Sequence, residues 1–206
     1  MKFVIFHGAF GSKDGNWFPW LKTELEKLGQ DVILEQFPCD DYAEITKNGP
    51  SVPSKNQNLS NWFKTFEKSV LLKINKEDEL AFIGHSLAPV FMLHLVNKYN
   101  FKLQLAIFVS PFLTFLNEKN IWQFDHVNSS FYKTDFDFKK LKKLITSSYV
   151  IYGDDDPYVD KKFPLDLAKK MNSKIIVVKN GGHLNEEFGY TKFPMILECC
   201  INIIKI

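Results

Sequence analysis

The sequence predicts an α/β fold, with a mostly parallel β-sheet covered by helices on both faces. Three observations carry that expectation. Strand-like and helix-like segments alternate from one end of the chain to the other, the pattern left by successive βαβ units. Several strand-like runs, residues 80–83 (LAFI) and 103–109 (LQLAIFV) above all, lack polar alternation, as strands buried on both faces do. In residues 79–96 (ELAFIGHSLAPVFMLHLV) such a strand passes through Gly84-His85-Ser86-Leu87-Ala88 straight into an apolar helical segment, with Pro89 acceptable only in the first turn.

Taken in order, residues 2–6 read as the first strand, followed by a loop with Gly8 and Gly11 whose backbone N–H groups can face the mouth of the fold. Gly8, Gly11 and Gly15 do not have the spacing of a dinucleotide fingerprint. Trp17, Trp20, Leu21, Leu25 and Leu28 make a helical stripe over 17–28, closed by Gly29, and 31–35 is the second strand. Residues 37–58 break all periodicity with Pro38, Pro50 and Pro53, which predicts a long loop. Leu59, Trp62, Phe63, Phe66, Val70 and Leu71 predict a helix over 59–74 leading to the strand at 80–83. After the strand at 103–109 comes an aromatic-rich crossover at 112–138, resembling a cap. Most of its rings are expected to fill core; a few are candidates for an apolar pocket wall, and His126 is expected at the surface. A short helical piece at 141–145, a strand at 148–152, a helix at 161–171, a strand at 174–178 and a closing helix or helix-strand at 191–206 complete the chain.

Composition narrows the function. With 206 residues, 45% of them hydrophobic, the chain has material for one core, so a single domain over 1–206 is expected. The 26 basic residues are all Lys and face 24 acidic ones, a net charge of +2. That balance, without the bidentate fork of Arg, argues against nucleic acid or an anionic membrane as partner. Cys39, Cys199 and Cys200 have neither disulfide nor zinc spacing and are expected as free thiols. The N-terminal apolar run stops at His7-Gly8, too short for a secretion signal, and no run has the length to span a membrane; the expected location is the cytosol.

The chemistry rests on three strand ends. Gly84-x-Ser86-x-Ala88 between a buried strand and a helix is the pattern of a nucleophile elbow, where a sharp turn lifts the serine hydroxyl and leaves room only for small residues on either side. The plain structural reading is that Ser86 caps its helix. Asp154-Asp155-Asp156-Pro157 follows the strand at 148–152, and Gly181-Gly182-His183 follows the one at 174–178, so all three motifs fall at one edge of the sheet. Serine needs a neutral imidazole to take its proton, and the imidazole needs a carboxylate to hold its tautomer. His183 fits the base; His7, His85 and His94 are poorer candidates. Which aspartate is the acid stays open on spacing alone; Gly153-x-x-Asp156-Pro157 resembles a pattern found in many α/β-hydrolases, which implies Asp156, with Asp155 in reserve. The acidic run lacks the spacing of a calcium loop, and neither a metal nor another cofactor is expected.

With Ser, Asp and His in this order, the chain resembles the α/β-hydrolase superfamily. More closely, it is similar to the retinoblastoma-binding-protein-9 and YdeN-like branch of small serine hydrolases. The likeness runs along nearly the full length: GNWFPWLKTELEKLG, Phe37-Pro38-Cys39-Asp40, Leu59-Ser60-Asn61-Trp62, FIGHSLA, YGDDDPYV and Gly181-Gly182-His183. The resemblance implies a three-layer α/β/α sandwich and a triad of Ser86, Asp156 and His183, with the N–H groups of Ala9 and Leu87 as oxyanion hole. It further implies a cofactor-free serine hydrolase acting on a small carboxylic ester or amide; the alternatives are acyl transfer by the same triad and a catalytically weak binding protein. Three features depart from the family: Ala88 in place of Gly, the long 37–58 loop and the enlarged crossover. Leu197-Glu198-Cys199-Cys200 is followed by Ile201, so no Leu-x-Cys-x-Glu peptide for retinoblastoma binding is present.

Overall fold

Six strands, β1 (Lys2–Phe6), β2 (Asp31–Leu34), β3 (Leu80–His85), β4 (Leu103–Val109), β5 (Ile145–Gly153) and β6 (Lys174–Val178), pair in the computed structural model, which describes residues 1–204. Every pairing is parallel and the order is β2-β1-β3-β4-β5-β6. Helices α1 (Phe18–Lys27) and α8 (Pro194–Ile204) cover one face. Helices α3 (Leu59–Thr65), α4 (Ala88–Tyr99), α6 (Phe138–Leu144) and α7 (Lys162–Met171) cover the other, giving the expected three layers. Strand alternation divides the core accordingly. Phe3 and Ile5 of β1 pack toward α1 and α8, while Val4 and Phe6 pack toward α3 and α4. The second side holds a cluster of buried rings around Phe91, with Phe6, Phe37, Trp62 and Phe66 at 5.2–6.4 Å. Burying side chains of this size contributes about 1.5–3 kcal/mol each.

The chain runs from β1 outward to β2, then returns past β1 to β3 and continues toward β6. The direction reverses between β1 and β3, and a crevice at the carboxyl ends of these two strands is the expected ligand position in such sheets. Both the Gly8 loop and the Ser86 turn open there.

Several segments differ from the sequence reading. The 37–58 loop contains a helix, α2 (Tyr42–Asn48), whose N-cap Asp41 accepts the Glu44 N–H and whose end is set by Gly49. Ile45 alone of its side chains is buried, so an apolar stripe had nothing to register. The 59–74 helix is regular only through Thr65, then widens into a π-turn at Phe66–Val70 and tightens into a 3₁₀ turn at Leu71–Lys73. Buried Trp62, Phe66 and Val70 are spaced by four, and a regular helix would rotate each about 40° past the last; looser winding keeps them in line. The crossover forms α5 (Trp122–Asn128) between 3₁₀ turns at Lys119–Ile121 and Ser129–Phe131. Its rings divide: Phe112, Phe131 and Phe136 are core, Phe115 is exposed, and Phe124 faces the carboxyl edge of the sheet. The piece read at 141–145 begins earlier, at Phe138, where Asp137 caps it. Strand β5 begins at Ile145, three residues early, because its pairing with β4 is made by backbone and admits Thr146 and Ser147. The closing element is helical through Ile204; residues 205–206 of the predicted range lie outside the described residues. Cys39, Cys199 and Cys200 are free, and among the described residues no helix is long and apolar enough to cross a membrane.

Candidate active site

Only Ser86 and Leu87 separate the end of β3 from the start of α4, and the turn demands a left-handed backbone at Ser86 (φ 61°). For a residue with a Cβ this conformation costs about 1–2 kcal/mol. The Ser86 N–H donates to the Val109 carbonyl at 2.8 Å, tying the strained residue to the end of β4. A side chain at position 84 would run into Met92 Sδ and come within 3.0 Å of Ala88 Cβ, so the small pair Gly84 and Ala88 is what lets α4 leave so sharply. Ser86 does not cap α4, whose N-cap is Leu87 with no side-chain bond. Its Oγ lies instead 3.0 Å from Nε2 of His183.

His183 stands on the turn after β6, and the three aspartates after β5 hold that turn in three different ways. Asp154 Oδ1 accepts the Asn180 N–H at 2.7 Å and Asp155 Oδ1 accepts the Gly182 N–H at 2.8 Å. Asp156 Oδ2 lies 2.8 Å from His183 Nδ1, while its Oδ1 accepts the N–H groups of Tyr158 and Val159 at 2.9 and 3.0 Å. The reserve candidate Asp155 is thus occupied with backbone, and Asp156 is the carboxylate that meets the imidazole. Its side chain is 2% exposed. A carboxylate can only accept, so Nδ1 carries the hydrogen and the Nε2 lone pair faces the Ser86 hydroxyl. Ser86 and His183 are each 5% exposed.

The other histidines hold backbone. His85 Nε2 donates to the His183 carbonyl at 2.8 Å, and the Ser110 hydroxyl approaches the same oxygen at 3.4 Å. Burial, with the neighbouring His183 next in weight, pushes the His85 imidazole down to about 3, so it is neutral near pH 7. His7 Nδ1 donates to the Gly8 carbonyl at 2.8 Å, and its Nε2 accepts the Phe37 N–H at 2.9 Å; burial likewise lowers its pKa. His94 Nε2 donates to the Phe131 carbonyl. His126, expected at the surface, is half-buried and donates to the Val52 carbonyl at 2.8 Å, joining α5 to the proline-containing loop.

Facing Ser86 is the loop after β1. A Cβ on Gly8 would lie 2.8 Å from Ser86 Cβ and 3.1 Å from the His85 carbonyl oxygen, so only glycine lets this loop approach. Ala9 follows, half-buried at the mouth, and Phe10 is left-handed (φ 52°). Among the described residues, neither the Ala9 nor the Leu87 N–H makes a turn or loop hydrogen bond with another backbone group. A row of rings joins this loop to the imidazole. Phe10 meets Tyr42 and Phe124 at 5.2 and 5.3 Å, Phe124 stacks on Tyr158 at 6.0 Å, and Tyr158 stands edge-on to His183 at 5.2 Å. The Tyr158 hydroxyl donates to the Glu187 carboxylate at 2.8 Å. Gln57, fully buried within the predicted long loop, accepts the Phe10 N–H at 2.9 Å. A glutamine amid Ser, Lys and Asn offers no local sequence signal for such a position. Among the described residues no group of three or more His, Cys, Asp or Glu side chains is arranged to hold a metal ion.

Comparison with known proteins finds relatives over nearly the whole chain and the same fold in solved structures. YdeN of Bacillus subtilis (strain 168) is 26% identical over 196 residues, covering 94% of this chain and 91% of its own. The crystal structure of the ydeN gene product superposes with a TM-score of 0.80 at 24% identity, covering 100% of this chain and 99% of the other. The methylesterase MES16 from Arabidopsis shares the fold at 13% identity, with a TM-score of 0.64 and all of both chains covered. The family described as serine hydrolase matches residues 3–200, nearly the whole sheet and every element of the site. On that match the chain belongs to the serine hydrolase family, and it is a hydrolase with the α/β-hydrolase fold.

Proposed function

We propose that the protein hydrolyses small carboxylic esters, with amides as a secondary class, through an acyl intermediate on Ser86. The observation that carries this reading is the unbroken row from Ser86 Oγ to His183 Nε2 (3.0 Å) and from His183 Nδ1 to Asp156 Oδ2 (2.8 Å). His183 takes the hydroxyl proton as Oγ bonds to the ester carbon. The resulting oxyanion is held by the N–H groups of Ala9 and Leu87, neither of which is engaged in a turn or loop bond to backbone among the described residues. Collapse breaks the bond to the leaving alkoxide, which receives the proton from His183. Water, deprotonated by the same imidazole, then attacks the acyl-Ser86 carbon, and the carboxylic acid leaves as the proton returns to Oγ. Asp156 stabilises the imidazolium in both halves and is not itself protonated. The rings of Phe10, Phe124 and Tyr158 supply the apolar contact for the substrate. The free thiols and the chain's balanced charge are in keeping with a cytosolic enzyme.

The test is labelling by a fluorophosphonate probe together with turnover of p-nitrophenyl acetate. The parent protein is expected to be labelled, and Ser86→Ala to be unlabelled and slower on the order of 10⁶-fold in kcat. A parent protein that is neither labelled nor active on the ester points instead to a binding protein that keeps the fold without the chemistry, and a Ser86→Ala protein with parental turnover overturns the acyl-Ser86 mechanism.

A further inference from the structure

We propose that Gln57 is a positioning residue for the oxyanion loop, transmitting the placement of cap helix α5 to the Ala9 N–H through Asn128. The inference rests on the reading of Ala9 as an oxyanion donor.

Gln57 is fully buried and every polar group it carries is engaged. Its backbone N–H donates to Asp40 Oδ2 at 3.0 Å and its carbonyl accepts the Ser54 hydroxyl at 2.8 Å, which anchors the residue in its loop. Its side chain reaches in two directions. Oε1 accepts the Phe10 N–H at 2.9 Å, and Nε2 donates to Asn128 Oδ1 at 2.7 Å. The direction of this relay is forced. A backbone N–H can only donate, so Gln57 must present its oxygen to Phe10 and its nitrogen to Asn128. Asn128 must then present its own oxygen, and its Nδ2, wholly buried, meets no partner among the described residues. An interior donor is left unmatched, a cost that natural structures rarely carry without a reason. What the relay secures is the Ala9–Phe10 peptide, held against the left-handed backbone of Phe10. With Phe10's N–H turned toward Gln57, the peptide before it keeps the Ala9 N–H free to face the crevice. Without the Gln57 oxygen, the Phe10 N–H must seek another acceptor and Ala9 turns with it.

The experiment compares parent, Gln57→Met and Gln57→Glu on p-nitrophenyl acetate, with Ser86→Ala as control. Gln57→Met removes the acceptor at nearly constant volume; Gln57→Glu restores an oxygen for Phe10, and Asn128 can rotate its amide to donate to the new carboxyl group. The expected result is a fall in kcat of about 10–10²-fold for Gln57→Met with KM within about twofold, as when a contact made only in the transition state weakens. Gln57→Glu is expected to recover most of that loss. A kcat for Gln57→Met within twofold of the parent overturns the proposal, as does a loss that Gln57→Glu leaves in place. Should Gln57→Met be recovered unfolded, Asn128→Ser carries the test, with a threefold or larger fall in kcat expected at unchanged KM and an unchanged kcat overturning it. If Ser86→Ala retains parental turnover, it is the hydrolase reading that has failed, and the control separates that result from failure of the relay.

Discussion

The two walls of the crevice are held by different means. On one side, Ser86, His183 and Asp156 ride on turns at the ends of β3, β6 and β5, and those turns are fixed largely by bonds to backbone: Ser86 to Val109, His85 to the His183 carbonyl, and Asp154 and Asp155 to the N–H groups of Asn180 and Gly182. On the other side, the loop of Gly8, Ala9 and Phe10 is held by the side chain of its neighbour His7 and, from a distant segment, by Gln57, with Asp40 and Asn128 behind it. A wall built on strand ends inherits the rigidity of the sheet, whereas a wall built on side-chain amides and rings can be re-set by single substitutions. The strained Ser86 turn therefore stands on the part of the architecture anchored in the sheet, and the ring-lined loop opposite it stands on the part that single substitutions can re-set.

Three perturbations sharpen this contrast. Asp156→Asn acts on the strand-end wall alone, leaving the fold while favouring the wrong imidazole tautomer; on the proposed mechanism a fall in kcat on the order of 10⁴-fold is expected in steady-state turnover, as for the equivalent change in a Ser-His-Asp protease. Parental kcat in this variant would mean that the carboxylate is only structural. Gly8→Ala drives a wedge between the walls, because the added methyl meets Ser86 Cβ at 2.8 Å. Loss of about 10²–10³-fold is expected, the scale of one oxyanion donor, and a crystal structure of the variant should show the loop displaced rather than β3.

Acid distinguishes the walls more gently. His85 has a folded pKa pushed down to about 3 from 6.5, so the unfolded chain binds the proton first. Its contribution to stability is complete above pH 6.5 and is lost as pH falls toward 3. Asp40 on the loop side is also depressed: partial burial alone would raise it, but the Ser54 hydroxyl and the N–H groups of Gln57 and Asn56 outweigh that effect. Its contribution is present above 3.8 and is lost only below, as pH falls through the still lower folded value. Melting temperatures followed from pH 7 to 3 should thus slope downward from about pH 6.5. His85→Gln should flatten the upper part of that slope and Asp40→Asn only its acid end. Identical profiles for parent and His85→Gln would show that the neutral imidazole contributes nothing to folding.

Much of this arrangement is legible in the sequence alone. Apolar runs without alternation mark strands buried on both faces, and alternation with helical stripes marks a parallel sheet, because both rules are local and the periods differ. From there, Ser86, the Asp154–Asp156 run and His183 fall at one edge simply because each follows a strand. Tertiary structure decided what local rules do not reach. Three adjacent aspartates are alike in sequence, and only the path of the turn after β6 assigns Asp154 and Asp155 to backbone N–H groups and Asp156 to the imidazole. Helix α2 shows too narrow an apolar face to be read, and Phe124 is set apart from core rings such as Phe131 only by what lies opposite it. Gln57 and Asn128 are 71 residues apart, and their pairing depends on a cap helix descending onto a loop, a contact that no period of two or 3.6 encodes.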